Sequence, residues 1–166
     1  MQPLEFQPDE NQKEAYQALV AHVDSGGKHG TICLVGDFLS GKTILVKRLL
    51  AEKFDTPADY YVNLNLYLID ELDKHSSSVA HAGAKAKIRL LMQIAIEDLL
   101  QRHFQSHNLI VLDAIEVTYP YELNLVSLAN RFTCDGKQCI VCVPESPQYN
   151  YRFELSWELA DIIRIA

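Results

Sequence analysis

The chain has 166 residues, of which 48% are hydrophobic and 22% charged, a globular composition long enough to bury one core without disulfides or metals. Its formal net charge of -7 argues against a protein that coats nucleic acid, because phosphate contacts need a cationic surface; local DNA contact stays open. The first ten residues are polar and acidic and no apolar run is long enough to span a bilayer, so neither a secretory leader nor a membrane anchor is expected.

Apolar residues at Ala15, Leu19 and Val23, flanked by Tyr16 and Val20, predict a helix over 9–23, opened by Pro8 and Asp9 and closed by Gly26 and Gly27. Residues 31–35 form a short apolar, β-branched run between glycines and read as a buried strand. A helix follows over 41–53, with Ile44, Leu45, Leu49 and Leu50 apolar. The pattern predicts a second strand over 59–65, a short helix over 66–73, a small-residue polar loop over 75–83, and a long amphipathic helix over 85–104. A third strand at 109–112 runs into Asp113; a helix over 122–132 and strands at 138–143 and 160–165 complete the chain. Strands that are continuously apolar and alternate with helices imply a three-layer α/β domain around a mostly parallel sheet of about five strands, with residues 1–30 as a helical lead-in.

Four cysteines are present. Cys139 and Cys142 have the spacing of a metal or redox pair, but within a strand an odd separation turns them to opposite faces. They are expected to be buried, reduced and structural, together with Cys33 and Cys134, as suits a cytoplasmic protein. His75 and His81 have no metal-ligand partner in the sequence and read as surface residues.

Gly36-Asp37-Phe38-Leu39-Ser40-Gly41-Lys42-Thr43 matches the phosphate-loop pattern G-x-x-x-x-G-K-[ST], placed between a buried strand and an amphipathic helix as the chemistry requires. Backbone N–H groups of such a loop and the helix N-terminus converge on phosphate oxygens. Lys42 reaches the outer phosphates and Thr43 offers a hydroxyl to Mg²⁺. Leu109-Ile110-Val111-Leu112-Asp113 has the Walker B pattern, with Asp113 as the second metal-site residue. The sequence therefore predicts a P-loop NTPase core of the additional-strand, RecA/AAA-like kind. The residue after Asp113, where many such ATPases carry a water-activating glutamate, is Ala114; the next carboxylate is Glu116. Glu116 is either the base, acting from the loop beyond the strand, or a structural carboxylate beside a slow site, since losing a general base costs about two to four orders of magnitude.

Gln12, in the stretch before the phosphate loop, is the candidate reader of an adenine edge. No Asn-Lys-x-Asp motif for guanine is present, so ATP is favoured over GTP. Arg131 is the candidate arginine finger, with Arg152 as an alternative; either would act across subunits of an oligomer. Lys85, Lys87 and Arg89 cluster at a helix start, against the helix dipole, which hints at an anionic partner.

The phosphate loop, the segment Tyr61-Val62-Asn63-Leu64-Asn65-Leu66 and the run Val111-Leu112-Asp113-Ala114-Ile115-Glu116 together resemble the small P-loop BrxF family of type 3 BREX bacteriophage-defence systems, over most of the chain from about Thr31 onward. The resemblance implies an accessory ATPase that works with other proteins of a defence complex, as a nucleotide-dependent switch or assembly factor, and not a protein that itself cuts or modifies DNA. Two other readings stand beside it: a scaffold that holds ATP without turnover, which Ala114 favours, and a small-metabolite kinase, which the lack of an arginine-rich lid at 75–87 disfavours.

Overall fold

In a computed structural model, which describes residues 8–75 and 84–165, five strands form one parallel sheet in the order β2-β3-β4-β1-β5. The elements are α1 (Glu10–Ser25), β1 (Thr31–Gly36), α2 (Lys42–Lys53), β2 (Tyr61–Asn63), α3 (Leu64–Asp73), α4 (Ala84–His103), β3 (Leu109–Asp113), α5 (Leu125–Asn130), β4 (Gln138–Pro144) and β5 (Asp161–Arg164). The expected three-layer α/β fold is the one observed. β4 lies between the phosphate-loop strand β1 and the Asp113 strand β3, which is the additional-strand arrangement.

Each face of the sheet buries its own core. Cys33, Val35, Ile110, Leu112, Cys139 and Val141 meet Leu64 and Leu68 of α3, Met92, Ile96 and Leu100 of α4, and Val126 of α5. Ile32, Leu34, Val111, Ile140 and Cys142 meet Ala15 and Leu19 of α1 and Leu45, Val46 and Leu49 of α2. Because both faces are covered, the central strands β1, β3 and β4 are apolar through their interiors, at Ile32–Val35, Leu109–Leu112 and Cys139–Val143. Cys139 and Cys142 fall in opposite cores, as the strand alternation predicts. Cys134 departs from the expectation: it is exposed, just before the tight turn at Asp135 and Gly136, both with positive φ.

Three predicted elements change. The second strand ends at Asn63, not at residue 65, because the Asn63 side chain accepts the Leu66 N–H at 3.1 Å and caps α3; Asn65 is therefore helical. The predicted helix over 122–132 shrinks to Leu125–Asn130, since Pro120 and the positive φ of Glu122 force a separate 3₁₀ segment, Glu116–Tyr121, ahead of it; Asn124 then caps α5 through Ser127 N. The fifth strand is Asp161–Arg164, held to β1 in register from Ile32 to Val35. The expected polar loop and His81 lie outside the described residues, apart from His75, which closes the turn after α3 through its N–H to Leu72 O. Among the described residues, no helix is long and apolar enough to cross a membrane.

Ile96 is fully buried at the centre of the α4 contact with the sheet. Ile96→Ala should lower unfolding free energy by about 2–5 kcal/mol, read as a lower urea midpoint with an unchanged slope. At the far end of α4, His103 donates through Nε2 to Leu109 O at 2.6 Å and stacks on His107. Burial lowers its pKa below the ordinary 6.5, with His107 adding to the effect. The folded state thus binds fewer protons than the unfolded chain, so this contribution is complete above pH 6.5 and fades as pH falls through the folded value. His103→Gln should flatten the acid side of the stability profile, measured by thermal melts between neutral and mildly acidic pH.

Candidate nucleotide and metal site

The phosphate loop leaves β1 at Gly36 and enters α2 at Lys42. Its turn is made by Leu39 and Gly41, at φ 62° and 98°. Leu39 is a side-chain-bearing residue in the left-handed region, at a cost of about 1–2 kcal/mol, and it projects fully into solvent. Gly41 cannot be replaced so easily: a Cβ there would lie 2.6 Å from Gln12 Nε2. Within the loop, Phe38 N donates to Asp37 Oδ1 at 2.7 Å and Ser40 N to Asp37 O at 3.1 Å.

Lys42 is only 8% exposed. Its ammonium donates to Gly36 O at 2.7 Å, Asp37 O at 2.8 Å and Ser40 Oγ at 3.3 Å. Burial lowers its pKa, and the nearby carboxylates of Asp113, Glu116 and Asp37 act against that shift. Thr43, the next residue, donates its hydroxyl to Asp113 Oδ2 at 2.6 Å. The two predicted metal residues are thus brought into contact although their strands are separated by β4.

Asp113 is 6% exposed and fully engaged. Its Oδ1 accepts Ala114 N at 2.8 Å, and its Oδ2 accepts a second hydroxyl, from Tyr61, at 2.6 Å. The donor set around it, a threonine hydroxyl and a carboxylate, is oxygen only, which fits Mg²⁺. Cys142 lines the same cleft, but burial, and then Asp113, raise its thiol pKa well above the ordinary value, so it stays a neutral neighbour. Among the described residues no three His, Cys, Asp or Glu residues form a metal cage; a magnesium ion here would share its coordination between these two side chains, phosphate oxygens and water.

Ala114, at φ 52°, turns the chain sharply after Asp113, and its carbonyl accepts Asn65 N at 2.8 Å. The turn brings Glu116 back to Asn65, whose Nδ2 donates to Glu116 Oε2 at 2.8 Å while its Oδ1 accepts Val117 N at 2.8 Å. Glu116, Asp113, Lys42 and Thr43 all line one cleft of about 370 Å³ at the carboxyl end of the sheet, together with Phe38, Leu39, Ser40, Gly41 and Ile44. Lys42 is the cation among the described lining residues.

The remaining predicted residues stand differently. Gln12 adjoins the loop, but its amide is occupied: Nε2 donates to Ser40 O at 2.8 Å and Oε1 accepts Asp9 N at 3.0 Å, in the capping box of α1. Arg131 pairs with Glu97 at 2.6 Å and precedes Thr133, which packs on Gly30 at the opposite end of β1 from the phosphate loop. Arg152 is nearer, following Tyr151, whose ring meets Phe38 at 5.3 Å and stacks on Tyr119 at 4.2 Å. Lys85 and Lys87 are exposed on the first turn of α4, and Arg89 donates to Tyr121 O at 2.9 Å. Tyr61 and Asn65 lie in the segment that carries the family resemblance, but the sequence assigned neither a role in the site; their signal is their place on the strand and helix beside the Asp113 strand.

No protein-family model matches the chain, and no curated protein matches it. Among solved structures, the chain is similar to AMPPCP-bound DnaA from Aquifex aeolicus, with a TM-score of 0.60 at 16% identity. The match covers 96% of this chain and 48% of that one, so the chain spans about half the length of that protein. At that identity the likeness shows the fold alone: a parallel α/β sheet covered by helices.

Gly41→Ala combines a forbidden φ with a clash on Gln12. It should destabilise the protein by at least about 1 kcal/mol, and adding Gln12→Ala should recover only part of the loss, because the backbone strain remains. Urea midpoints of the single and double variants test this; full recovery would mean that the clash alone mattered.

Proposed function

We propose that the chain binds ATP with Mg²⁺ in this cleft and hydrolyses it slowly, as a nucleotide-dependent switch or assembly factor among other proteins of a phage-defence complex. The observation that carries the reading is the meeting of Lys42, Thr43, Asp113 and Glu116 in one cleft, with the Thr43–Asp113 contact at 2.6 Å. The DnaA neighbour, bound to AMPPCP, supports a nucleotide as the ligand class.

On this reading Lys42 exchanges its loop carbonyls for phosphate oxygens, and the α2 N-terminus adds its partial positive charge. Magnesium, when bound, would neutralise phosphate charge. Thr43 and Asp113 orient it. Glu116 is the proton acceptor for an attacking water, a role that its bond to Asn65 holds in check until Asn65 moves. That restraint also favours the second reading, binding without turnover, for the chain in isolation. Completing the site falls to an arginine from a neighbouring copy, Arg152 or Arg131, in a nucleotide-dependent homo-oligomer. The defence-complex setting rests on the resemblance to the BrxF family.

Lys42→Ala should weaken ATP binding by at least about tenfold, the equivalent of one charge-assisted hydrogen bond lost; equal affinity in a calorimetric titration would refute the nucleotide reading. Glu116→Gln should bind ATP as the parent does and lose about 100-fold or more in phosphate release. Unchanged release would move the base elsewhere, and release absent from both proteins would select the scaffold reading.

A further inference from the structure

Asp113 Oδ2 accepts two hydroxyls, from Thr43 and Tyr61, at the same distance of 2.6 Å. The two donors differ in where they come from. Thr43 stands at the start of α2, and its oxygen can offer a lone pair to a metal while its proton stays on Asp113. The other contacts of the carboxylate are Ala114 N, which is on the adjacent residue and holds only Oδ1, and the phenol of Tyr61. Tyr61 reaches Asp113 from a different strand: it lies opposite Val111 in the β2–β3 register, two residues short of Asp113 on the same face.

We propose that Tyr61 is a positioning residue of the magnesium site, holding Asp113 from outside the phosphate loop and α2 and so tuning the site to Mg²⁺ over larger cations. The inference rests on the reading that this cleft takes ATP with Mg²⁺. The phenol is suited to the role. Its ring lies beneath Lys47 Nζ, 4.8 Å from the centroid, one helical turn after Thr43. Magnesium demands near-ideal octahedral geometry, whereas calcium accepts irregular coordination. A carboxylate pinned from outside the phosphate loop therefore discriminates between the two, and a carboxylate free to rotate does not.

Tyr61→Phe removes the hydroxyl and leaves the ring. Binding of a fluorescent ATP analogue would be measured in EDTA and against rising Mg²⁺ or Ca²⁺, for the parent, Tyr61→Phe and Lys47→Ala. The expected result is unchanged affinity in EDTA, a half-saturating Mg²⁺ concentration raised about tenfold in Tyr61→Phe, and a Ca²⁺ dependence within about threefold of the parent; Lys47→Ala should give a smaller Mg²⁺ shift of the same sign. A Mg²⁺ dependence within twofold of the parent in Tyr61→Phe overturns the assignment alone. Equal losses in EDTA, Mg²⁺ and Ca²⁺ overturn it as well, since they mark general damage. If the parent chain binds the analogue under none of the conditions, the nucleotide reading fails, and this assignment with it.

Discussion

An ammonium group buried to 8% exposure needs compensation, and the geometry around Lys42 is organised by that need. The loop folds back so that the carbonyls of Gly36 and Asp37 and the hydroxyl of Ser40 receive its protons. Carbonyl dipoles solvate the charge without cancelling it. The carboxylates that favour the charged form, Asp113, Glu116 and Asp37, act through space. A cation held by neutral acceptors, at the mouth of a cleft and at the N-terminus of α2, has more to gain from an anion than an exposed lysine would, because the desolvation cost is already met by the fold.

The parallel sheet decides what that cation faces. All five strands end their carboxyl termini at one edge, so β1 delivers the phosphate loop and β3 delivers Asp113 to the same level, with β4 between them. Each helical layer then adds one restraint. On one face, α1 places Gln12 against Ser40 O and over Gly41, tying the loop to the lead-in helix. On the other, α3 places Asn65 against Ala114 O and Glu116. Movement of either layer relative to the sheet would change the cleft without any change in its own residues, which is the physical requirement for a switch.

The features legible in the sequence are those encoded by contiguous residues. The phosphate loop, the apolar strand ending in Asp113 and the order of helices and strands are local patterns, and the pairing of Thr43 with Asp113 follows from the motifs together. Tyr61 was illegible because its contact is a diagonal across two strands, and that register is a property of the sheet, not of residues 59–65. Asn65 was misplaced for a different reason: Tyr61, Val62 and Leu64 have strand character, and only the capping of α3 by Asn63 cuts the strand short. Gln12 carried no sign in the sequence that both ends of its amide would be taken. Arg131 closes α5, and two residues on Thr133 packs on Gly30, at the end of β1 opposite the phosphate loop.

Ala114 links the strained part of the backbone to the chemistry. A glutamate directly after Asp113 would be presented by the strand itself. Here that residue is an alanine in the left-handed region, about 1–2 kcal/mol above an ordinary conformation, and the turn it makes supplies Glu116 from the loop beyond. A carboxylate supplied by a strand is fixed by the sheet; one supplied by a turn is fixed only by what grips the turn. In this chain Asn65 grips it from α3, through two side-chain bonds and one backbone bond, and Thr118 holds Ile115 O from within the turn. Glu116 and its restraint thus lie outside the phosphate loop and the end of β3. On the proposed reading, nucleotide affinity and turnover are therefore separable by the position of α3, and a partner that shifts α3 would change the rate while leaving Lys42, Thr43 and Asp113 as they are.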